Sequence, residues 1–296
     1  MRLLALILGF TLLVAPAVRA EDGYDLWLRY KPVEASAKGA YAARAAAIAP
    51  TRDAPTIKVA RAELERGLTG LVGKPATAAA GSREGVILLG AAADPVIAKL
   101  NLPLKSLGED GYLIRTLPVN GKATTVIAAN RDIGVLYGVF RYLELIQTRQ
   151  PVASLDLAST PKVKLRMLNH WDNLNRTVER GYSGQSIFDW WKLPDHVDPR
   201  MVDYARANAS LGINGTVLNN VNAKADSLTP PFIAKAAALA DTFRPYGIKV
   251  YLSARFSAPI EIGGLKTADP LDPAVRAFWK TKADEIYKEI PDFGGF

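Results

Sequence analysis

The stretch Leu165-Arg-Met-Leu-Asn-His-Trp-Asp-Asn-Leu174 carries the most information about the fold. It begins with the alternating apolar pattern of a β-strand and runs directly into the polar and aromatic residues 169–173. In α/β barrels, binding and catalytic groups lie at the carboxyl ends of the strands and in the loops that follow. A tryptophan flanked by amides and a carboxylate also suits a sugar, which has an apolar face and a rim of hydroxyls. The stretch therefore predicts a barrel strand that ends in a carbohydrate-binding site.

A repeated unit follows this strand. Two predicted helices each end at a glycine that leads into a predicted strand, and these glycines, Gly212 and Gly247, lie 35 residues apart. The helices are Arg200–Leu211 and Pro231–Tyr246, and the strands that follow them are Ile213–Leu218 and Ile248–Leu252. A third predicted helix, Asp272–Glu289, precedes the start of another strand at Gly295–Phe296. This alternation predicts a parallel sheet with right-handed crossovers.

The length of this region limits how much of a barrel it can form. A complete (β/α)₈ barrel takes about 250 residues, whereas residues 151–296 number only 146. We therefore expect an α/β fold in which a small domain precedes the first three or so βα units of a TIM barrel, in residues 162–296. The sequence thus predicts an incomplete barrel from the amino-terminal part of a larger protein.

Residues 21–150 predict the small α/β sheet-and-helix domain. Runs of β-branched residues bounded by glycines predict strands, and apolar residues spaced three and four apart predict helices. The strands are expected at Gly85–Leu89, Gly111–Arg115 and Thr124–Ala128, and the helices at Lys58–Val72 and Ile133–Ile146, the second with Asp132 as its N-cap. Two prolines and several polar residues in 151–161 predict a linker to the barrel.

Residues 1–20 have the pattern of a secretory signal peptide. Arg2 gives a positive start, Leu3–Val14 form a short apolar core, and Val18-Arg19-Ala20 has the small residues that signal peptidase accepts. Roughly 20 apolar residues are needed to span a bilayer, and the core Leu3–Val14 is too short for this. We therefore expect cleavage rather than a membrane anchor, and no membrane association afterwards. Cysteine is absent, so we expect a secreted or periplasmic bacterial protein rather than a disulfide-stapled scaffold.

The net charge allows two interpretations. The chain has a formal charge of +8, which falls to +6 if Arg2 and Arg19 leave with the signal peptide. A positive field would favour an anionic partner such as a uronic acid, but scattered lysines and arginines also keep a surface solvated. Because the sequence has no basic cluster with interleaved aromatics, we expect no nucleic-acid binding.

Separated motifs, in the same order, resemble those of one enzyme family. They are Gly23-Tyr-Asp-Leu-Trp-Leu-Arg-Tyr30, Arg131-Asp-Ile-Gly-Val-Leu-Tyr-Gly-Val-Phe140, the Leu165–Leu174 stretch with Glu179-Arg-Gly-Tyr-Ser-Gly-Gln-Ser-Ile-Phe188, and Ile290-Pro-Asp-Phe-Gly-Gly-Phe296. Together they closely resemble the α-glucuronidases of glycoside hydrolase family 67, from about residue 23 to the last residue.

The resemblance implies a xylan-degrading enzyme. It implies inverting hydrolysis, without a cofactor, of the α-1,2 bond between (4-O-methyl-)glucuronic acid and xylose in xylo-oligosaccharides. A glutamic acid would act as general acid and two carboxylates would activate water. The resemblance places all three beyond Phe296, so no catalytic group is assigned to this chain, and residues 21–296 alone are expected to be inactive. It also implies a homodimer formed through a carboxyl-terminal domain.

Three candidate substrate contacts are expected at the ends of the first two barrel strands. Trp171 would stack on a pyranose ring, although ordinary core packing would also explain a tryptophan there. The resemblance matches Trp171 to a tryptophan that lines the sugar pocket, and Val221 to a residue that packs against the 4-O-methyl group. Asn220 precedes Val221 at the same predicted strand end.

His170, Asp172 and Arg255 complete the set of candidate substrate contacts. Arg255 could bind a uronic carboxylate through two hydrogen bonds or, equally, form a salt bridge in the barrel mouth. Asp172 lacks a second carboxylate beside it, so we expect it to orient a neighbour rather than to catalyse, and we expect Glu261 to be a solvated loop residue. His170 is expected to be a hydrogen-bonding residue of the pocket. With no cysteine and only two histidines, no metal site is predicted.

Two classes of function therefore fit the sequence. One is an α-glucuronidase, and the other is a non-catalytic carbohydrate-binding protein built on the same scaffold. The residues alone favour the second class, because no acid–base pair can be assigned. The family resemblance favours the first.

Overall fold

The computed structural model describes residues 21–73, 77–78 and 84–296. They form a six-stranded mixed sheet and a three-stranded parallel sheet, each with its own helices. The chain is therefore α/β, as predicted. The expected signal peptide, residues 1–20, lies outside the described residues. Within the described part of the chain, no helix is both long enough and apolar enough to cross a membrane.

The six-stranded sheet lies in the first half of the chain. Its strands are β1 (Ala47–Pro50), β2 (Thr77–Ala78), β3 (Val86–Ala91), β4 (Tyr112–Val119), β5 (Lys122–Ala129) and β6 (Asp156–Ser159), in the spatial order β2-β1-β3-β5-β4-β6. The neighbours β2, β1, β3 and β5 are parallel, whereas β4 runs antiparallel to both β5 and β6. Three of these strands, β3, β4 and β5, coincide with the predicted ones, and the other three are additions to the prediction.

The strand β6 lies inside the segment 151–161, which was predicted as a linker. Its residues pair with Tyr112–Arg115 of β4 and form the edge of the first sheet. The second half of the segment therefore belongs to the sheet and is not a free connection.

Helices and a short turn bury both faces of this sheet. The helices of this part are α1 (Ala35–Ala43), α2 (Pro55–Val72), α3 (Pro95–Ala98) and α4 (Asp132–Gln147). Because successive strand residues point to opposite faces, Ile87 packs in the cluster under α2 and α4, whereas Val86 and Leu88 pack with α3 and the turn Leu104–Leu107.

Asp132 was predicted as the N-cap of α4, but Arg131 occupies that position and Asp132 is the first helical residue. The carboxylate of Asp132 forms an ion pair with Arg52, so it is not available to cap the helix. A negative charge in the first turn of a helix remains favourable for the helix dipole.

The second unit is a sheet of three parallel strands. They are β7 (Met167–Asn169), β8 (Gly215–Val217) and β9 (Lys249–Tyr251), and they lie side by side in chain order. The accompanying helices are α5 (Arg200–Ser210), α6 (Pro230–Phe243), α7 (Ala258–Glu261) and α8 (Pro273–Glu289). An isolated parallel bridge joins Tyr251 to Gly295, where the start of another strand was predicted.

The glycines that precede β8 and β9 have the predicted role. Gly212 has φ +75° and Gly247 has φ +71°, a left-handed conformation that glycine adopts without a steric penalty. They turn the chain from the end of each helix towards the next strand.

A buried ion pair joins the two units. Glu63 of α2 and Arg206 of α5 have side chains that are only 3% and 7% exposed, and the Arg206 Nε lies 2.7 Å from Glu63 Oε2. The Tyr30 hydroxyl donates a 2.5 Å hydrogen bond to Glu63 Oε1. Burial alone would lower the pKa of Arg206, but its hydrogen bonds to Glu63 and the charge of that carboxylate outweigh burial and raise the pKa. Removing either partner would leave an uncompensated charge buried between α2 and α5, which is costly.

Candidate functional site

The candidate site lies where the three parallel strands end. The carboxyl ends of β7, β8 and β9 share one edge of the sheet, and their following loops carry Trp171, Val221 and Arg255 respectively. Sequence reasoning placed these residues at strand ends, and the topology brings them to the same edge. In an α/β barrel this edge is where ligands bind.

Trp171 and Val221 are both open to solvent. Trp171 is 44% exposed and Val221 is 59% exposed. Their loops are joined because the Asn220 backbone N–H donates a 2.8 Å hydrogen bond to the Asp172 carbonyl. We call these two side chains the Trp171–Val221 surface. An exposed indole ring provides a flat platform for the apolar face of a pyranose.

Two buried asparagines hold the strand ends in place. Asn219 is fully buried, and its amide exchanges hydrogen bonds of 3.0 and 2.8 Å with the backbone of Ser253 beyond β9. Asn220 is 2% exposed, and its amide donates to the Trp171 carbonyl at 3.3 Å. The structure therefore gives Asn220 a positioning role beneath Trp171, and its direct contact with substrate stays a prediction.

His170 and Asp172 lie in a network behind the Trp171–Val221 surface. Asp172 is 4% exposed, and its Oδ1 lies 3.6 Å from His170 Nδ1. A 2.8 Å hydrogen bond joins His170 Nε2 to the Tyr204 hydroxyl, which bonds in turn to Thr216 at 2.9 Å. Burial, together with the negative charge of Asp172, raises the pKa of Tyr204 to about 12, against the hydrogen bond with Thr216. These side chains are placed to orient the loop, and their contact with substrate stays a prediction.

Arg255 is already paired in this structure. Its Nε lies 2.6 Å from Glu261 Oε1 and donates to the Ser257 hydroxyl at 3.2 Å. The Ser257 hydroxyl also donates to Glu261, and this hydrogen bond, with the charge of Arg255, lowers the pKa of the Glu261 carboxyl. Of the two alternatives for Arg255, the salt bridge is the one observed. Glu261, expected to be a solvated loop residue, is the last residue of the helix α7 and pairs with Arg255. Binding of a uronate by Arg255 would require an exchange of partners and stays a prediction.

Glu179 is a residue of this edge to which sequence reasoning gave no role. Its backbone N–H donates a 2.8 Å hydrogen bond to the Trp171 carbonyl, and its own carbonyl accepts a 2.8 Å hydrogen bond from the Asn173 amide. Its φ of +57° is unusual for a residue with a side chain. No signal in the sequence showed that the chain after Asn173 returns to Trp171.

Neither Asp172 nor Glu261 is a free carboxyl group at this edge. Inverting glycosidases need two carboxyl groups about 6.5–9.5 Å apart across the scissile bond. At this edge, Asp172 is buried beside His170 and Glu261 is paired with Arg255. Among the described residues, no group of three or more His, Asp or Glu side chains could hold a metal ion.

Sequence profiles of one family match almost all of this fold. The profile of the glycosyl hydrolase family 67 N-terminus matches residues 26–142, and that of the glycosyl hydrolase family 67 middle domain matches residues 145–296. The chain belongs to glycoside hydrolase family 67. This confirms the family that the sequence motifs indicated.

Curated relatives are longer than this chain. Alpha-glucuronidase A of Emericella nidulans is 37% identical over 300 residues, which cover 97% of this chain and 34% of the relative. A probable alpha-glucuronidase A of Aspergillus clavatus is 37% identical over 286 residues, covering 94% of this chain and 33% of the relative. This family 67 chain thus spans about a third of the length of these relatives.

Both relatives come from fungi. The prediction of a secreted or periplasmic bacterial protein was therefore wrong in its bacterial origin. That prediction depended on the absence of cysteine, which argues against disulfides but does not distinguish bacterial from fungal proteins.

Solved structures share the fold at low sequence identity. A family GH115 4-O-methyl-α-glucuronidase with specificity for decorated arabinogalactans superposes with a TM-score of 0.55 and 17% identity, covering 82% of this chain and 34% of that one. A GH138 enzyme targeting pectin rhamnogalacturonan II gives a TM-score of 0.54 and 18% identity, covering 84% and 30%. At these identities the likeness concerns the fold alone.

Proposed function

We propose that this family 67 chain forms the sugar-binding part of an α-glucuronidase. The reaction is inverting hydrolysis of the α-1,2 bond between (4-O-methyl-)glucuronic acid and xylose in xylo-oligosaccharides. Membership of the family and the names of the fungal relatives support this proposal. The observation that carries it is the Trp171–Val221 surface, an exposed aromatic and aliphatic pair at the carboxyl ends of neighbouring parallel strands.

The organisation of the chain follows from this proposal. Residues 21–150 form a support domain, residues 151–161 contain the connection and its strand β6, and residues 162–296 form the first βα units of a (β/α)₈ barrel. Three parallel strands lie in chain order, and β8 and β9 each follow a helix and a left-handed glycine; this arrangement supports the barrel. The bridge at Gly295 supports a fourth strand beside β9.

The residues of the site have different roles in this proposal. Trp171 stacks on the uronic acid ring, and Val221 contacts an apolar substituent such as a methyl ether. Asn220, His170 and Asp172 hold the loop of Trp171 in place. The acid and the two bases are carboxyl groups other than Asp172 and Glu261, because both of these are already engaged by protein partners.

A non-catalytic carbohydrate-binding protein remains the second candidate. One observation favours it: Asp172 is buried beside His170 and Glu261 is paired with Arg255, so neither is a free carboxylate at this edge. Such a protein would use the same platform to bind the sugar without cleaving its bond.

One experiment separates the two functions. The full-length protein is incubated with aldotetraouronic acid, and proton NMR follows the anomeric signal of any released 4-O-methyl-glucuronic acid. Release with initial formation of the β-anomer supports the inverting enzyme, whereas saturable binding without release supports the binding protein. Neither binding nor release would contradict both. Sedimentation velocity on the same sample tests the homodimer that the family resemblance implies.

A further inference from the structure

The carboxylate of Glu179 has almost no hydrogen-bond partners. Its side chain is 17% exposed, and within the described residues its Oε2 is buried with no hydrogen bond at all. In the part of the chain that the structure describes, its Oε1 has only distant neighbours: the Tyr182 hydroxyl at 3.4 Å and the Arg180 Nε at 3.7 Å. A carboxylate offers about four lone-pair sites to donors. Most of the acceptor capacity of Glu179 is therefore unused.

Two features make this arrangement costly for the protein. A largely buried carboxylate without close donors loses solvation that nothing replaces. The left-handed backbone of Glu179, φ +57°, adds strain that a glycine would not have. Residues held in such conformations by their surroundings cluster at ligand-binding sites. The surroundings here are the Trp171 carbonyl and the Asn173 amide, which fix the Glu179 backbone through two 2.8 Å hydrogen bonds.

We propose that Glu179 is a substrate-binding residue that accepts hydrogen bonds from hydroxyl groups of the sugar on Trp171. This rests on the proposed function and deepens it. An ionised carboxylate accepts hydrogen bonds and donates none. Glu179 therefore recognises the neutral hydroxyl rim of the sugar and disfavours the uronic carboxylate at the same position. It thereby fixes which way the ring lies on the indole.

The Tyr182 hydroxyl competes with the sugar for the Glu179 carboxylate. Its side chain is 73% exposed, and its hydroxyl makes a hydrogen bond near the upper limit of length with Glu179. A sugar hydroxyl takes the place of this phenol at a shorter distance. Tyr182 is thus an exchangeable donor that occupies Glu179 until the sugar arrives, and its loop is bounded by Gly181 and Gly184, both with positive φ.

Four variants of the full-length protein separate this role from a structural one. Glu179→Gln keeps the shape of the side chain but removes its charge. Glu179→Gly removes the acceptor and relieves the backbone strain, so it keeps the fold even if the glutamine variant is unstable. Tyr182→Phe removes the competing donor. Glu109→Gln, a matched control, alters a carboxylate that is 79% exposed in the first unit and paired with Arg131.

The probe is 4-O-methyl-glucuronic acid, titrated by intrinsic tryptophan fluorescence, with KM for aldotetraouronic acid and thermal unfolding measured on the same samples. We expect both Glu179 variants to bind the probe about 10- to 100-fold more weakly, because hydrogen bonds to a charged group are lost. We expect Tm to be unchanged in Glu179→Gln and unchanged or raised in Glu179→Gly. Tyr182→Phe should bind as tightly as the wild type or more tightly, and Glu109→Gln should match the wild type.

The outcomes distinguish this inference from the proposed function. If the wild-type protein binds and cleaves the oligosaccharide while both Glu179 variants retain its Kd and KM, the inference is wrong and the proposed function stands. Variants that lose thermal stability but keep the wild-type Kd per folded molecule would likewise overturn it, because Glu179 would then be structural. If the wild-type protein neither binds the probe nor cleaves the oligosaccharide, the proposed function fails and the inference fails with it.

Discussion

Replacing Trp171 with alanine tests whether its indole binds the sugar. The residue is 44% exposed, and a tryptophan side chain presents on the order of 200 Å², so a stacked pyranose would cover up to about 90 Å² of indole. At about 25 cal/mol per Å² this contact contributes about 2 kcal/mol. We therefore expect kcat/KM to fall about 40-fold in Trp171→Ala, provided that the transition state keeps the contact.

The assay measures kinetics and stability on the same preparation of full-length protein. Release of 4-O-methyl-glucuronic acid from aldotetraouronic acid gives kcat/KM, and thermal unfolding gives Tm. Trp191→Ala is the matched control, because Trp191 is 70% exposed and lies 5.3 Å from the Arg176 guanidinium, outside the Trp171–Val221 surface. We expect this control to keep the wild-type kcat/KM.

A core tryptophan would behave differently from a platform. Truncating a buried tryptophan typically costs about 3–5 kcal/mol of stability and leaves the surviving folded enzyme nearly normal. A sharply lowered Tm with wild-type kcat/KM per folded molecule would therefore refute the platform. An equal loss of kcat/KM in Trp191→Ala would refute the choice of Trp171 over Trp191 as the platform.

Three further variants test the parts that support the site. Glu63→Ala leaves Arg206 buried without its main partner, so urea unfolding should show a loss of about 3–5 kcal/mol; a loss below about 1 kcal/mol would contradict this. Burial raises the pKa of Tyr204 from 10.0 to about 12. The stability that its protonated phenol contributes to the folded state is therefore fully present below pH 10 and is lost as the pH rises towards 12. Tyr204→Phe should flatten the pH dependence of Tm between pH 10 and 12. An unchanged slope of Tm against pH would contradict the raised pKa of Tyr204. Asn220→Ala removes the amide bonded to the Trp171 carbonyl, and KM should rise about 3- to 10-fold with kcat nearly constant. An unchanged KM would show that Asn220 does not position Trp171.

Local sequence signals predicted the elements whose residues follow one clear period. The β-branched run 124–128 became β5, and the apolar spacing of residues 58–72 became most of α2. In contrast, β1 has the sequence Ala47-Ile-Ala-Pro50, with a single β-branched residue and a terminal proline. It is a strand because it pairs with β3. The polar strand β6 likewise depends on β4, a partner about forty residues earlier in the chain, and no local pattern shows such pairing.

The candidate site was predictable in its location but not in its internal roles. Strand endings and polar clusters placed Trp171 and Val221 at successive strand ends, and the strands that precede them, β7 and β8, are parallel neighbours. Which polar groups face solvent depends on hydrogen bonds between separate loops. Asn220 is buried because it bonds to the loop after β7. Glu179 reaches Trp171 only through a left-handed turn that a glutamate does not signal.

The residues that follow the end of β7 at Asn169 separate into two faces. Side chains two apart point the same way along an extended chain, so His170 and Asp172 lie together, with Nδ1 and Oδ1 3.6 Å apart. Trp171, between them, points the opposite way and is exposed. The alternation that presents the indole to a sugar therefore turns the adjacent carboxylate away from it. Asp172 can stabilise the orientation of Trp171 through His170 and Tyr204, but it faces away from any glycosidic bond that lies over the indole.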